Sequence, residues 1–223
     1  MGDLNKIVVI GASEHAKVVM DVIEREAKFS ILGLIDSYKL AEGMFMGYPM
    51  LGAEDALLRK WKQKEIAGGI IAIGDNWMRH RVAEKIKALA ADFEFISTAH
   101  PSAQIARGVS IGRGTVIMAG AIINSESKVG DFCILNTKSS LDHDGLMEDF
   151  SSLAPGVTTG GHVHIGAFSA ISLGANIIHG RTIGVHTVIG AGALVQEDIP
   201  DHCVAYGIPA KVIRQREEGE KYL

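Results

Sequence analysis

Aromatic residues are scarce in this chain: Phe, Trp and Tyr make up only 6% of 223 residues. That argues against a large sandwich core of bulky rings and favours a repeat fold filled by small and aliphatic side chains. Cysteine is almost missing, and Cys133 and Cys203 make no disulfide framework. Neither has a base beside it in sequence, so both read as small buried groups. There is no basic excess, since 22 Lys+Arg stand against 26 Asp+Glu for a net charge of −4. Nucleic acid is therefore not the expected partner, because phosphates would go unneutralised. No apolar run reaches membrane-spanning length, and the longest, around Gly68–Ile73, is strand-sized. The N-terminal stretch Met1–Lys6 lacks the basic-then-apolar layout of a secretion signal, and Lys6 stands where N-myristoylation wants Ser or Thr. A cytoplasmic protein is the expectation.

What is present is 47% hydrophobic residues, 26 glycines, and enough length for one large domain or two small ones. The chain divides near residue 98, into residues 1–98 and 99–223. The first part alternates short apolar runs with helical patterns. Strands are expected at Lys6–Ile10, Ile31–Ile35, Gly69–Ile73 and Phe93–Ile96, and helices at Glu14–Lys28, Ala53–Lys62 and Asn76–Ala90. Apolar strands alternating with helices imply a small parallel sheet covered by helices, an α/β unit of Rossmann-like type.

The second part obeys a period of six. Stepping from Ile105 through Ile111 and Ile117 to Val195 meets sixteen positions, of which fifteen are aliphatic or Met and only Thr159 is not. Glycine follows the marked position at Gly112, Gly130, Gly160, Gly166, Gly184 and Gly190. A hexapeptide period means short strands of a parallel β-helix, with the aliphatic residue inward and small residues at tight corners. The unbroken register leaves no room for an extruded loop.

Candidate chemistry sits at a few places. Gly11-Ala12-Ser13-Glu14-His15-Ala16 occupies a strand-to-helix turn, where phosphates meet free backbone amides. Asp36 ends the second strand and suits a ribose or base edge, and Ile73-Gly74-Asp75-Asn76 ends the third on the same side. In the β-helix, Asn136–Asp144 places His143 between Asp142 and Asp144. An imidazole oriented by a carboxylate is a good general base near neutral pH, and spacing alone does not choose between the two aspartates. His162 and His164 lie two apart and would share a strand face, which reads as a surface stripe rather than a metal pair. His179, His186 and His202 read as surface or interface residues, while His80 and His100 carry no signal.

The hexapeptide period resembles the left-handed β-helix of hexapeptide-repeat acyltransferases, in which three hexads make one triangular coil. Val195–Pro200 followed by Tyr206–Ile213 is similar to their terminal signature, which helps close the coenzyme A groove. Arg214–Leu223 beyond it reads as a solvated helix or frayed end. The order of a nucleotide-type domain, His100-Pro101 and a loop-free β-helix resembles the sialic acid O-acetyltransferase and bacillosamine N-acetyltransferase branch. Gly11-Ala12-Ser13 with His15, Ile73–Asn76 with Arg79, Ile134–Thr137 and Asp142-His143-Asp144 carry that resemblance.

The resemblance implies acetyl transfer from acetyl-CoA to the amine of a nucleotide-linked 4-amino-4,6-dideoxy sugar, UDP-linked by preference, in a homotrimer with coenzyme A between adjacent β-helices and no metal. It implies that His143 is the base and Asp144 the carboxylate that raises its basicity. Gly11, Ser13, His15, Asp36 and Gly74 would line the nucleotide pocket and Asn136 the sugar site. Ser152, Gly161, Leu173 and Ala191 fall where the family contacts acetyl-CoA. Two departures stand out: Ser152 replaces a histidine common in the family, and Glu14 and Ala16 stand where its turn has Gly. The alternatives are an O-acetyltransferase of a sialic-acid-type sugar, the same reaction on a GDP- or dTDP-amino sugar, a zinc enzyme of the γ-carbonic-anhydrase type, and a non-catalytic scaffold.

Overall fold

The first hundred residues wind a sheet whose interior is apolar on both faces, because its inner strand β1 (Lys6–Ile10) is buried from Ile7 onward. The computed structural model describes residues 4–39 and 43–222; residues 1–3, where the sequence was read for processing signals, lie outside that range. The elements after β1 are α1 (Glu14–Glu26), β2 (Ser30–Ile35), β3 (Met44–Phe45), β4 (Tyr48–Gly52), α2 (Glu54–Lys62), β5 (Gly69–Ile71) and α3 (Asn76–Leu89). The sheet order is β3-β4-β2-β1-β5, parallel except for the β3–β4 hairpin. Helix α1 buries Ala16, Val19, Met20 and Ile23, the stripe expected of an amphipathic helix. Helix α3 starts at Asp75, whose side chain accepts from the Met78 amide at 2.8 Å.

Two expectations need correction here, and one element was not foreseen. Phe93–Ile96 is not a strand; Phe95 makes one isolated bridge to Gly69, while the rings of Phe93 and Phe95 are buried. The strand expected over Gly69–Ile73 ends at Ile71. The β3–β4 hairpin had no sequence reading, because Gly47, Pro49 and Gly52 interrupt any alternation there.

From Thr98 the chain becomes a stack of two-residue strands arranged on three faces. The first face runs from Thr98–Ala99 through Ile134–Leu135 and Ser152–Leu153 to Val188–Ile189. The second runs from Gln104–Ile105 to Leu194–Val195, and the third from Ser110–Ile111 to Thr182–Ile183. Strands in one face pair parallel with the residue eighteen places on, as Ile117 does with Leu135, so one coil is three hexads. The register thus starts one hexad before Ile105, at Ala99. The marked residues of the period, from Ile117 to Val195, form one continuous buried column. Thr159, the polar exception, is also buried, and its hydroxyl accepts from the Asp142 amide at 3.1 Å.

The tail is the largest departure from expectation. Ala210–Gln215 is a strand antiparallel to Cys203–Gly207, and Arg216 beyond it is buried, not solvated. The reason is a set of acceptors: Arg216 donates to the His186 carbonyl at 3.1 Å and to the Glu220 carbonyl.

Two devices fix the sheet unit on the β-helix. At the edge that follows the third face, Phe132, Phe150, Phe168, His186 and His202 stack in one ladder, with neighbouring centroids 4.5 to 5.4 Å apart. Each has a positive φ, so each holds the left-handed corner of its coil. Trp77 and His80 of α3 pack against this ladder. Beneath them Arg79, 1% exposed, donates to the Phe132 carbonyl (2.8 Å), the Phe150 carbonyl (3.2 Å), Ile73 O (2.9 Å), Gly74 O (3.0 Å) and Asn76 Oδ1 (2.6 Å). Substituting Arg79→Met orphans several of these buried acceptors, each costing about 1–3 kcal/mol. The expected outcome is a loss of about 3 kcal/mol or more in denaturant unfolding, with Trp77 fluorescence reporting release of α3 before the β-helix signal in circular dichroism is lost.

Candidate active site

The edge after the second face carries an exposed acid–base pair, His143 and Asp144. Asp142 is held by three contacts: its amide donates to Thr159, and its Oδ1 accepts from Asn124 Nδ2 (2.6 Å) and from the His143 amide (2.8 Å). The chain then turns through Asp144, which has φ 54° and donates its amide to Ser125 O at 3.0 Å. That left-handed corner brings Asp144 Oδ2 to 2.8 Å from His143 Nδ1. The contact settles which aspartate meets the ring: it is Asp144, while Asp142 shapes the backbone.

The electrostatics follow from this geometry. The Asp144 hydrogen bond pushes the His143 pKa up, and Asp142 adds to it through space. The same bond holds Asp144 below the usual carboxylate range. With Nδ1–H given to Asp144, the basic lone pair resides on Nε2; this tautomer is assigned from the hydrogen-bond network. Nε2 lies over Gly161, where any Cβ would collide with the ring. Gly161 therefore has to be glycine for His143 to sit as it does.

His162 and His179 share this edge, with centroids 5.2 Å from His143 to His162 and 5.1 Å from His162 to His179. His162 Nε2 is 3.7 Å from Asp144 Oδ2. Among the described residues, ligand atoms of His143, Asp144 and His162 fall within 4.8 Å of one another, a grouping that could hold a metal ion. His164 is elsewhere, paired with Glu148 on the third face at 2.7 Å, so the reading of His162 and His164 as one stripe is incorrect. His162 takes a left-handed corner, φ 57°, which ends the alternation that would have put the two on one face. His186 is likewise not a surface residue; it is buried in the ladder.

A separate cavity of about 390 Å³ opens where the sheet unit meets the first face. His15 and Gly74 line it from one side; Asn136, Ser152, Leu173 and Ala191 line it from the β-helix. Six candidates from the sequence thus share one apolar hollow, and Tyr222 of the tail joins them. Burial pushes His15 down to about 4, with Arg79 adding to the effect, so its ring is neutral. Gly11 and Asp36 border a smaller hollow of about 70 Å³ at the sheet edge, with Ile73. There Asp36 is already engaged, accepting from the Ala12 amide (2.8 Å) and the Tyr38 amide (2.9 Å). Ser13 precedes α1 without a side-chain cap, which leaves the first helical amides open. Glu14 at that turn is exposed.

His143, Asp144 and Gly161 do not join the cavity in one chain. They follow strands of the second face, whereas Leu173 and Ala191 follow strands of the first, so the two groups occupy different edges of the triangular coil. Two contributors escaped the sequence reading. Lys39, whose ammonium contacts the Ala12 carbonyl and lies 4.8 Å from the Phe45 ring centroid, stands beside the turn. Tyr222 comes from a tail with no motif. At a spacing of eighteen His179 falls in the column of His143 and Gly161, and His162 in the adjoining column of Asp144.

Comparisons with known proteins bear on the fold and the family. Residues 6–86 match the model of the PglD N-terminal domain. The GDP-perosamine N-acetyltransferase of Caulobacter crescentus, solved as a histidine-to-alanine mutant with CoA and GDP-perosamine, is 33% identical. It superposes with a TM-score of 0.88 over 94% of this chain and 97% of that one. The acetyltransferase domain of PglB from Neisseria gonorrhoeae FA1090, solved with acetyl coenzyme A, is 31% identical with a TM-score of 0.85, covering 94% and 100%. An acyl-[acyl-carrier-protein]–UDP-N-acetylglucosamine O-acyltransferase of Stutzerimonas stutzeri (strain A1501) is 30% identical over 116 residues, 52% of this chain and 43% of that protein. The chain thus spans less than half the length of the curated relatives it matches. Among the described residues, no helix is long and apolar enough to cross a membrane.

The His143–Asp144 bond can be tested without any substrate. In NMR titrations Asp144→Asn should lower the His143 pKa, and by more than Asp142→Asn does, because only the former removes the charge from the group hydrogen-bonded to the ring.

Proposed function

The chain belongs to the hexapeptide-repeat sugar N-acetyltransferases, and from that premise we propose that it moves an acetyl group from acetyl-CoA to the amine of a nucleotide-linked 4-amino-4,6-dideoxy sugar. The observation that carries this reading is the His143–Asp144 pair with Nε2 free over Gly161. His143 Nε2 accepts the proton that the sugar amine loses as its nitrogen attacks the thioester carbonyl. Asp144 holds the ring and stabilises the imidazolium that results. The Gly161 N–H, which makes no hydrogen bond among the described residues, is the donor best placed for the oxyanion of the tetrahedral intermediate. Collapse of that intermediate expels the thiolate of coenzyme A, and the imidazolium returns the proton to it.

Residues 1–98 hold the nucleotide and residues 99–223 the acyl donor in this reading. Gly11, Ser13 and the open amides of α1 face the diphosphate, with Lys39 as the nearby cation. The sugar then reaches past Gly74 to Asn136 in the larger cavity, and the thioester end lies against Ser152, Leu173 and Ala191. Because His143 stands on another edge, a second copy must bring it to that cavity. A homotrimer satisfies this at all three sites at once, and a cytoplasmic location supplies acetyl-CoA. UDP is the nucleotide we favour; GDP is the second reading, favoured by the bound GDP-perosamine of the Caulobacter relative. Products of this kind serve surface-glycan assembly.

The test is thiol release from acetyl-CoA with UDP-, GDP- and dTDP-linked 4-amino sugars and a hydroxyl-only control, with and without a chelator. Turnover with one amino sugar, unaffected by chelator, supports the reading; turnover only with the hydroxyl control, or silence throughout, overturns it. His143→Ala should lose about 10²–10⁴-fold in kcat with unchanged circular dichroism. The wild-type kcat/KM should rise with pH through the His143 ionisation, above the ordinary imidazole value. Asp144→Asn should move that limb to lower pH, since it removes the chief cause of the raised pKa.

A further inference from the structure

The C-terminal tail is built, not frayed, and each of its contacts directs one side chain into the cavity. Arg216 anchors it through the His186 and Glu220 carbonyls, and its guanidinium lies 5.6 Å from the Tyr222 ring centroid. Glu220 closes the loop, with Oε1 accepting from Arg214 at 2.6 Å and Oε2 from the Glu217 amide at 3.2 Å. Gly219, with φ +74°, makes the turn against Trp77, where a Cβ would fall 2.6 Å from the indole nitrogen. The chain then runs back to α3, where Tyr222 Oη accepts from the Asn76 amide at 3.0 Å.

That amide occupies one lone pair of the phenol oxygen and leaves its O–H to be donated. Burial raises the Tyr222 pKa, so the group stays a neutral donor throughout the working range. Tyr222 and Ser152 both line the cavity, with Asn136 and His15. The remaining walls are mostly aliphatic, so a fixed phenol is one of few groups there able to orient a polar ligand. It stands beside Gly74 and Asn136, the path that a sugar attached at the sheet edge would follow.

We propose that Tyr222 is a specificity-determining residue for the acceptor: its O–H donates to an oxygen of the nucleotide-linked sugar, and the tail is the strap that holds it there. The inference rests on the transferase reading above. It concerns the sugar moiety, not the nucleotide and not coenzyme A.

Equilibrium binding separates these possibilities in the full chain. Tyr222→Phe keeps the ring and loses the donor. It should weaken binding of the nucleotide amino sugar by about three- to tenfold, as expected for one neutral hydrogen bond. Binding of the free nucleoside diphosphate and of coenzyme A should be unchanged. In turnover the KM for the sugar should rise with that for acetyl-CoA unaltered. Gly219→Val, which collides with Trp77 and releases the strap, should reproduce the effect. A change confined to coenzyme A binding, or a fall in stability with all three ligands bound as before, overturns the proposal. A wild-type protein that binds no nucleotide sugar at all overturns the transferase reading instead.

Discussion

A buried cation that forms no ion pair among the described residues holds the two halves of this protein in register. Arg79 reaches two carbonyls of successive β-helix corners, Phe132 and Phe150, and two carbonyls at the end of the sheet unit, Ile73 and Gly74. Carbonyl dipoles stand in for the missing carboxylate, and a planar guanidinium can meet them all where a lysine ammonium, with three donors, cannot. Burial depresses its pKa without removing the charge. Its position sets the cavity: Gly74 lines it and is bonded to Arg79, Asn76 orients both Arg79 and the phenol of Tyr222, and His15 feels the cation as a further reason to stay neutral. A shift of α3 by one corner of the ladder would move these groups to different coils.

The period of six was readable because only one side chain per hexad faces a narrow interior, and the interior tolerates little but aliphatic volume. Thr159 shows how informative a violation is. A hydroxyl in that column needs a partner, and the one it finds is the amide of Asp142, the residue before the base. The exception in the repeat thus marks the coil that carries the His143–Asp144 pair. What period six conceals is the vertical relation between coils. Asp144 and His162, or Phe132, Phe150 and Phe168, become neighbours only at a spacing of eighteen, and side chains on the outside of a corner show no hydropathy pattern to betray them.

The sheet unit was legible where strands are buried on both faces and helices carry one apolar stripe, as in β1 and α1. It was illegible where tertiary contact overrides local preference. Phe93–Ile96 has strand composition, yet its rings serve the aromatic packing against Phe132, and its backbone bridges the sheet once. The tail failed for a related reason. Arg214–Tyr222 is charged and reads as solvated, but its burial depends on carbonyls of His186 and on Trp77, residues some thirty and more than a hundred places earlier. No local rule carries such information.

The separation of His143 from the cavity also limits what one chain can do. The edges of a triangular coil point apart, so a rigid β-helix cannot swing His143 toward Asn136; its corners are tied by amide bonds from coil to coil, such as Asp144 to Ser125 and His162 to His143. Flexibility is no remedy either, since loosening one corner unpairs the coils above and below it. On the reading proposed above, a second copy related by rotation is what brings His143 to the hollow. The ring of His143 is half exposed and the cavity opens on a neighbouring edge, which leaves both sides of the site incomplete on their own. On the proposed reading assembly completes the site, and the placing of the His143–Asp144 pair on an exposed corner of the coil follows from that.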